Sequence, residues 1–226
     1  MEIMSHLKVR AWCAALLALA FAAPASAAEN PMERAGIEHN FYLDCLMRVE
    51  AKPDESELRL LVEVCGHDPG MPVEDFEKLY EPLVNEDPTK SAVERMSPHR
   101  HLYSEYEFGF FARIDAVVAN ATDLVDARKQ LDALEQEAIA RLSPEKAGGR
   151  NVLTMFATMR HSLDYWTASA AGAGHDVNVA RFPWKELIVA VVDAIGTVLA
   201  GPPVGSAASK IAKVLLDVFW PNVQQH

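Results

Sequence analysis

The sequence predicts an all-α protein: a multi-helix bundle of about seven or eight helices, closed by a C-terminal apolar helical hairpin. Three observations predict it. Apolar residues recur every three or four positions, proline and glycine punctuate those stretches at helix-length intervals, and no β-branched alternation is long enough for a strand. Hydrophobic residues make up 50% of the 226, so a single domain of this length can bury a core of its own.

Residues 1–27 read as a signal peptide. Lys8 and Arg10 precede an apolar run from Ala11 to Ala23, and Pro24-Ala25-Ser26-Ala27 places small residues where a signal peptidase reads them. The run is about 13 residues, short of the roughly 20 of a membrane span, and Cys13 has no lipidation box before it. Cleavage after Ala27 is expected to leave one helical domain, residues 28–226, exported to the periplasm or the extracellular space. Its formal charge moves from −11 to −12 when Glu2, Lys8 and Arg10 leave. That acidic balance argues against nucleic acid and anionic lipid as partners.

Asn30-Pro31-Met32-Glu33 carries a capping asparagine, a proline for the first helical position and a glutamate to close the box. The helix it opens runs to Val49, with Ile37, Phe41, Cys45 and Val49 as its stripe, widened by Leu43, Leu46 and Met47. A turn at Glu50 to Pro53 leads into a second helix bearing Leu58, Leu61, Val62 and Cys65, ended by Gly66 in the left-handed region. Cys45 and Cys65 lie on the facing sides of this hairpin and are expected to form a disulfide; free buried thiols are the alternative.

Val73, Phe76, Leu79, Tyr80 and Leu83 mark a third helix that Pro82 should end or kink, followed by a polar loop from Asn85 to Lys90. A long helix is expected over Pro98 to Ala121, and a charged surface helix from Thr122 to Leu142. Ser143-Pro144 opens another that extends past Gly148-Gly149 to Ala170, burying Val152, Phe156, Met159, Leu163 and Trp166. A small-residue loop to Arg181 precedes two last helices, Trp184 to Ala200 and Val204 to Trp220, joined at Gly201-Pro202-Pro203.

Ser143-x-Glu145-Lys146, Ser162-x-x-Tyr165-Trp166 and Gly36-x-x-His39-Asn40-x-x-Leu43 together resemble a family of exported bacterial helical proteins of unknown function. Asp193-Ala194-Ile195-Gly196 and Gly201 to Ala208 are similar to that family's small-residue-rich C-terminal segment. The chain departs from it in having fewer late glycines and an added apolar helix. The resemblance implies a compartment and a fold class, and no reaction.

His39 and Asn40 could hold a ligand or a proton in transit; set against that, on a packed helix they satisfy a buried network with Ser162 and Tyr165. Tyr165 and Trp166 are expected to anchor the core. His99, His101 and Glu105 are the best-spaced metal ligands, suited to zinc or copper if one helix carries them; the alternative is a basic, solvated helix start. The pairs His67-Asp68 and His175-Asp176 stand isolated. No G-x-S-x-G and no phosphate-cradling glycine loop occurs, and no cofactor is called for.

The leading expectation is therefore an exported, non-enzymatic helical protein that binds a protein or small-molecule partner. Its rivals are a membrane-active or toxin-like protein and a metal-dependent periplasmic enzyme. The first of these would use the apolar hairpin from Leu187 to Phe219, whose first helix, at about 14 apolar residues, is better suited to the centre of a bundle.

Overall fold

The computed structural model describes residues 28–49, 55–172 and 184–219. The expected signal peptide, the expected turn at Glu50 to Pro53, the pair His175-Asp176 and Trp220 lie outside them. The described residues form nine α-helices and no strand: α1 (Glu33–Arg48), α2 (Glu57–Glu63), α3 (Val73–Val84), α4 (Ala92–Met96), α5 (Glu105–Asn120), α6 (Leu124–Arg141), α7 (Ala147–Gly172), α8 (Trp184–Ala200) and α9 (Pro202–Phe219). A 3-10 turn, Ser97–Leu102, lies between α4 and α5.

Helix α8 is the central element. It packs on α7 and α9, and α1 closes the group against the same two helices. No residue from Lys185 to Ala200 is exposed, because α7 and α9 flank the helix and α3, α4 and α5 also touch it. Leu187, Ala190, Val191, Ala194 and Ile195 join an apolar cluster shared with α4, α5, α6 and α7. Val189 and Val192 join a second cluster, shared with α1, α2, α3 and α9.

Glycines set the helix spacing at the centre. A side chain at Gly205 would put its Cβ 2.8 Å from the Thr197 amide nitrogen and 2.9 Å from the Asp193 carbonyl, so α9 lies directly on α8. Gly201, with φ +90°, makes the whole connection in one residue. Helix α9 starts at Pro202, earlier than expected, since a proline in the first turn gives up no helical bond.

Cys45 and Cys65 form the disulfide, with their Cα atoms 5.9 Å apart, tying α1 to the residues that follow α2. Gly66 has φ +75° as the cap pattern required.

Helices α1, α4 and α5 differ from the sequence reading. Asn30 sits two residues ahead of the cap position of α1, which Met32 holds without a side-chain bond: the Asn30 side-chain oxygen accepts from the Met32 amide at 2.9 Å, and its own buried amide donates to Glu135 and to the Leu153 carbonyl. The buried face of α1 is Gly36, His39, Leu43 and Leu46, whereas Ile37 and Phe41 are 56% and 63% exposed. A glycine and a histidine in the seam hid its true phase. The expected helix over Pro98 to Ala121 is broken, because Ser104 and Glu107 form a capping box that starts α5 afresh. Helix α4 was absent from the reading, although Ser91 and Glu94 make the same box.

Pro82 sits inside α3, which continues only two residues further. Gly148 and Gly149 open α7 rather than weaken its middle; a Cβ on Gly149 would approach the Ser143 nitrogen to 3.2 Å. The Ser143-x-Glu145-Lys146 segment is thus the tight entry to α7, with the Lys146 amide bonded to the Ser143 carbonyl at 3.2 Å.

Candidate functional site

Between the two apolar clusters, where α1, α7, α8 and α9 meet, lies a buried layer of polar side chains: His39, Thr158, Ser162, Asp193, Thr197, Ser206 and Ser209. Gly36 lets it form. A Cβ there would lie 2.6 Å from the Ala157 carbonyl, so only glycine allows α1 this close to α7, and one turn later His39 points at α8.

Asp193 is the hub. Its Oδ2 accepts a hydrogen bond from the Ser162 hydroxyl and lies 3.6 Å from His39 Nε2. His39 Nδ1 is 3.0 Å from the Asn40 side-chain oxygen, and the Asn40 amide donates to the His161 carbonyl at 2.8 Å. One turn on, Trp166 Nε1 donates to Ser209 Oγ on α9 at 3.2 Å. His39, Asn40, Ser162 and Trp166 thus come together around Asp193 and Ser209. Tyr165 stands beside the layer, its ring edge-on to Trp166 at 5.3 Å.

Burial dominates the electrostatics. It pushes the His39 imidazole down to about 4, and it pushes the Asp193 carboxyl up to about 8 against the bonds from Ser162, Ser209 and Trp166. Both groups therefore favour their neutral forms near pH 7.

A second network leads outward from the back of α7. His161 Nε2 is 2.6 Å from Glu33, Arg160 also bonds Glu33, and Arg160 Nε donates to Glu135 at 3.0 Å. Burial alone would raise the Glu33 carboxyl, but Arg160 and His161 outweigh it and hold it below the usual range. Glu33, Asp132, Glu135 and Arg160 line an open groove of about 430 Å³.

The presence of serine, histidine and aspartate in one layer invites comparison with a nucleophile triad, and the connectivity excludes it. In a triad histidine bridges serine and aspartate; here the aspartate is the bridge and the serine hydroxyl is spent on it. Ser162, His39 and Asp193 are all 0% exposed, so a substrate has no approach.

His99 and His101 lie in the 3-10 turn and Glu105 opens α5, so the one-turn helical spacing expected of these three does not exist. Glu105 pairs instead with Arg100. Among the described residues no group of three or more His, Cys, Asp or Glu side chains is placed to hold a metal ion. His67 stacks between Tyr42 and Phe76, at ring distances of 5.7 and 5.3 Å.

The surface carries a different asymmetry. Residues 55–87 hold ten carboxylates and two basic side chains. Glu57, Glu74, Glu77 and Glu81 line an open groove of about 370 Å³ between α2, α3 and α9, together with Lys78 and the apolar Leu58, Val84 and Ile211. Among the described residues no helix is long and apolar enough to cross a membrane. Sequence reasoning noted Asp193 as part of a family-like segment, not as a member of this network, and missed Ser209; the available signal was a lone carboxylate in an otherwise apolar helix. No protein-family model, curated protein or solved structure matches this chain.

Proposed function

We propose that this chain is an exported, non-enzymatic helical protein that binds a protein partner, and that the acidic α2–α3 face is where it does so. The observation that carries the reading is the groove of about 370 Å³ flanked by Glu57, Glu74, Glu77 and Glu81. Arg59 and Lys210 serve this face, Arg59 at 2.5 Å from Glu77 and Lys210 at 3.6 Å from Glu57, and the carboxylates outnumber them. A partner presenting lysine or arginine around an aliphatic side chain would match the groove in charge and polarity.

Two further features support a binding role. The constellation of Ser162, His39 and Asp193 is sealed and wired against nucleophilic attack. A disulfide and a leader-like N-terminal segment suit export.

Lys78 lies in the groove and provides the test. Amine-directed cross-linking in the exported fraction of the source cells should join a partner at Lys78, and Glu74→Lys with Glu81→Lys should abolish that product. Both substitutions fall on exposed positions and leave the core untouched. Equal yield from the double variant, or cross-links confined to other lysines, overturns the proposal.

A further inference from the structure

We infer that His39 and Asp193 hold a single proton between them inside the bundle, and that this proton latches the α8–α9 hairpin onto α1 and α7. The tautomer of His39 is the first step. The Asn40 amide nitrogen is committed to the His161 carbonyl, so its oxygen faces His39 Nδ1. An amide oxygen can only accept, which places a hydrogen on Nδ1. In a neutral imidazole Nε2 is then a bare lone pair.

That lone pair faces Asp193 Oδ2 at 3.6 Å, and neither it nor Asp193 Oδ1 has a hydrogen-bond partner among the described residues. With no proton between them, a carboxylate would confront a lone pair in a site closed to water, an arrangement that burial makes costly. One proton on the carboxyl, directed at Nε2, neutralises both, and a few tenths of an ångström of closure completes the bond.

The surroundings offer no substitute. From α7, Asp193 meets the hydroxyl of Ser162 and the indole of Trp166; from α9 it meets the hydroxyl of Ser209. The nearby His161 is turned to Glu33, and Lys210 on α9 is committed to the Leu46 carbonyl and Glu57. On the elements that touch α8 from its other side, Arg95 is held by Glu86, Asp115 by the amides of Ala92 and Val93, and Glu77 by Arg59. Among the described residues no cation stands ready to stabilise Asp193 as a carboxylate, and Lys185 and Glu186 lie at the far start of its own helix.

The latch is closed while the pair carries one proton. Losing it leaves a buried carboxylate, and adding a second leaves a buried imidazolium; either charge is relieved by separating α8–α9 from α1 so that water enters.

Infrared difference spectra of the full chain, wild type minus Asp193→Asn, test the proton directly. At pH 6 they should show the carbonyl stretch of a protonated carboxylic acid, and it should fade with a midpoint near 8. Nitrogen-15 NMR should show His39 neutral at pH 6 with hydrogen on Nδ1. A carboxylate band from Asp193 at pH 6, or both His39 nitrogens protonated, makes the pair an ordinary ion pair and overturns the inference. Hydrogen exchange tests the latch: after division by intrinsic rates, opening of α8 and α9 should rise about fourfold from pH 7 to 8 in wild type and stay level in Asp193→Asn. An equal rise in both proteins refutes it.

Discussion

Replacing Asp193 by asparagine should remove the loss of stability above pH 6.5 and expose a rise with pH below it. The Asp193 carboxyl is raised from 3.8 to about 8 in the folded state, so its contribution is complete below pH 4 and is lost as pH rises through about 8. His39 is lowered from 6.5 to about 4, so its contribution is complete above pH 6.5 and is lost as pH falls through about 4. Between about 4 and 6.5 the two slopes cancel, because folded and unfolded chains each carry one proton on the pair. Above 6.5 the unfolded histidine has released its proton while the folded pair keeps one until about 8. The slope approaches 1.36 kcal/mol per unit at the middle of that interval and is about half that at either end, where one group is half titrated, so wild-type stability should fall by about 1.3 kcal/mol. In urea, with a slope of about 2 kcal/mol/M, the midpoint should drop by about 0.6 M between pH 6.5 and 8. Asp193→Asn keeps the shape of the side chain and removes its titration. Its midpoint should hold level above pH 6.5, and it should rise with pH below that value because only His39 still titrates. A wild-type midpoint constant from pH 6.5 to 8, or a variant that falls in parallel with it, would refute the reasoning.

Gly36→Ala drives a methyl to within 2.6 Å of the Ala157 carbonyl, a backbone atom that cannot rotate away, so α1 must lift from α7. The expected loss is about 1–3 kcal/mol, read as a melting temperature lower by roughly 2–10 °C. Cys45→Ser opens a disulfide across a sequence separation of 20 and should cost about 3 kcal/mol; reductant should lower wild type to the variant's midpoint and leave the variant unmoved. Trp166→Ala removes a buried indole and its hydrogen bond to Ser209, for an expected loss of about 3–5 kcal/mol by urea unfolding.

Where a helix announces itself by period and by punctuation, the sequence was sufficient. The central place of α8 follows from an apolar run with no polar face, and the Cys45–Cys65 bridge from two cysteines on one short hairpin. The failures have a common physical origin. Helix α1 was phased on Ile37 and Phe41, the large apolar residues, yet its seam is Gly36, His39, Leu43 and Leu46, two of which carry no hydrophobic signal. Helix α4 is five residues long, too short for a period, and only its capping box could have revealed it. The same box at Ser104 breaks the helix on which His99, His101 and Glu105 would have shared a face. For the buried layer, residue types in α1 and α7 gave part of the membership. Asp193 and Ser209 lie more than 30 residues further on, and which helix packs against which is a property of the assembled bundle.

The buried layer separates two apolar clusters that, on their own, would permit α8 to slide or rotate. Leucine, valine and alanine surfaces tolerate such shifts because dispersion is non-directional, whereas hydrogen bonds are not. The bond from Ser162 to Asp193 fixes α7 against α8, the approach of His39 to Asp193 fixes α1, and Trp166 with Ser209 fixes α9. A slip of one residue in any of the four helices would leave buried donors and acceptors unmatched, at about 1–3 kcal/mol for each neutral group. The glycines at 36 and 205 bring the helices close enough for these bonds to form. Specifying one packing is thus sufficient reason for polar chemistry at the centre of the bundle.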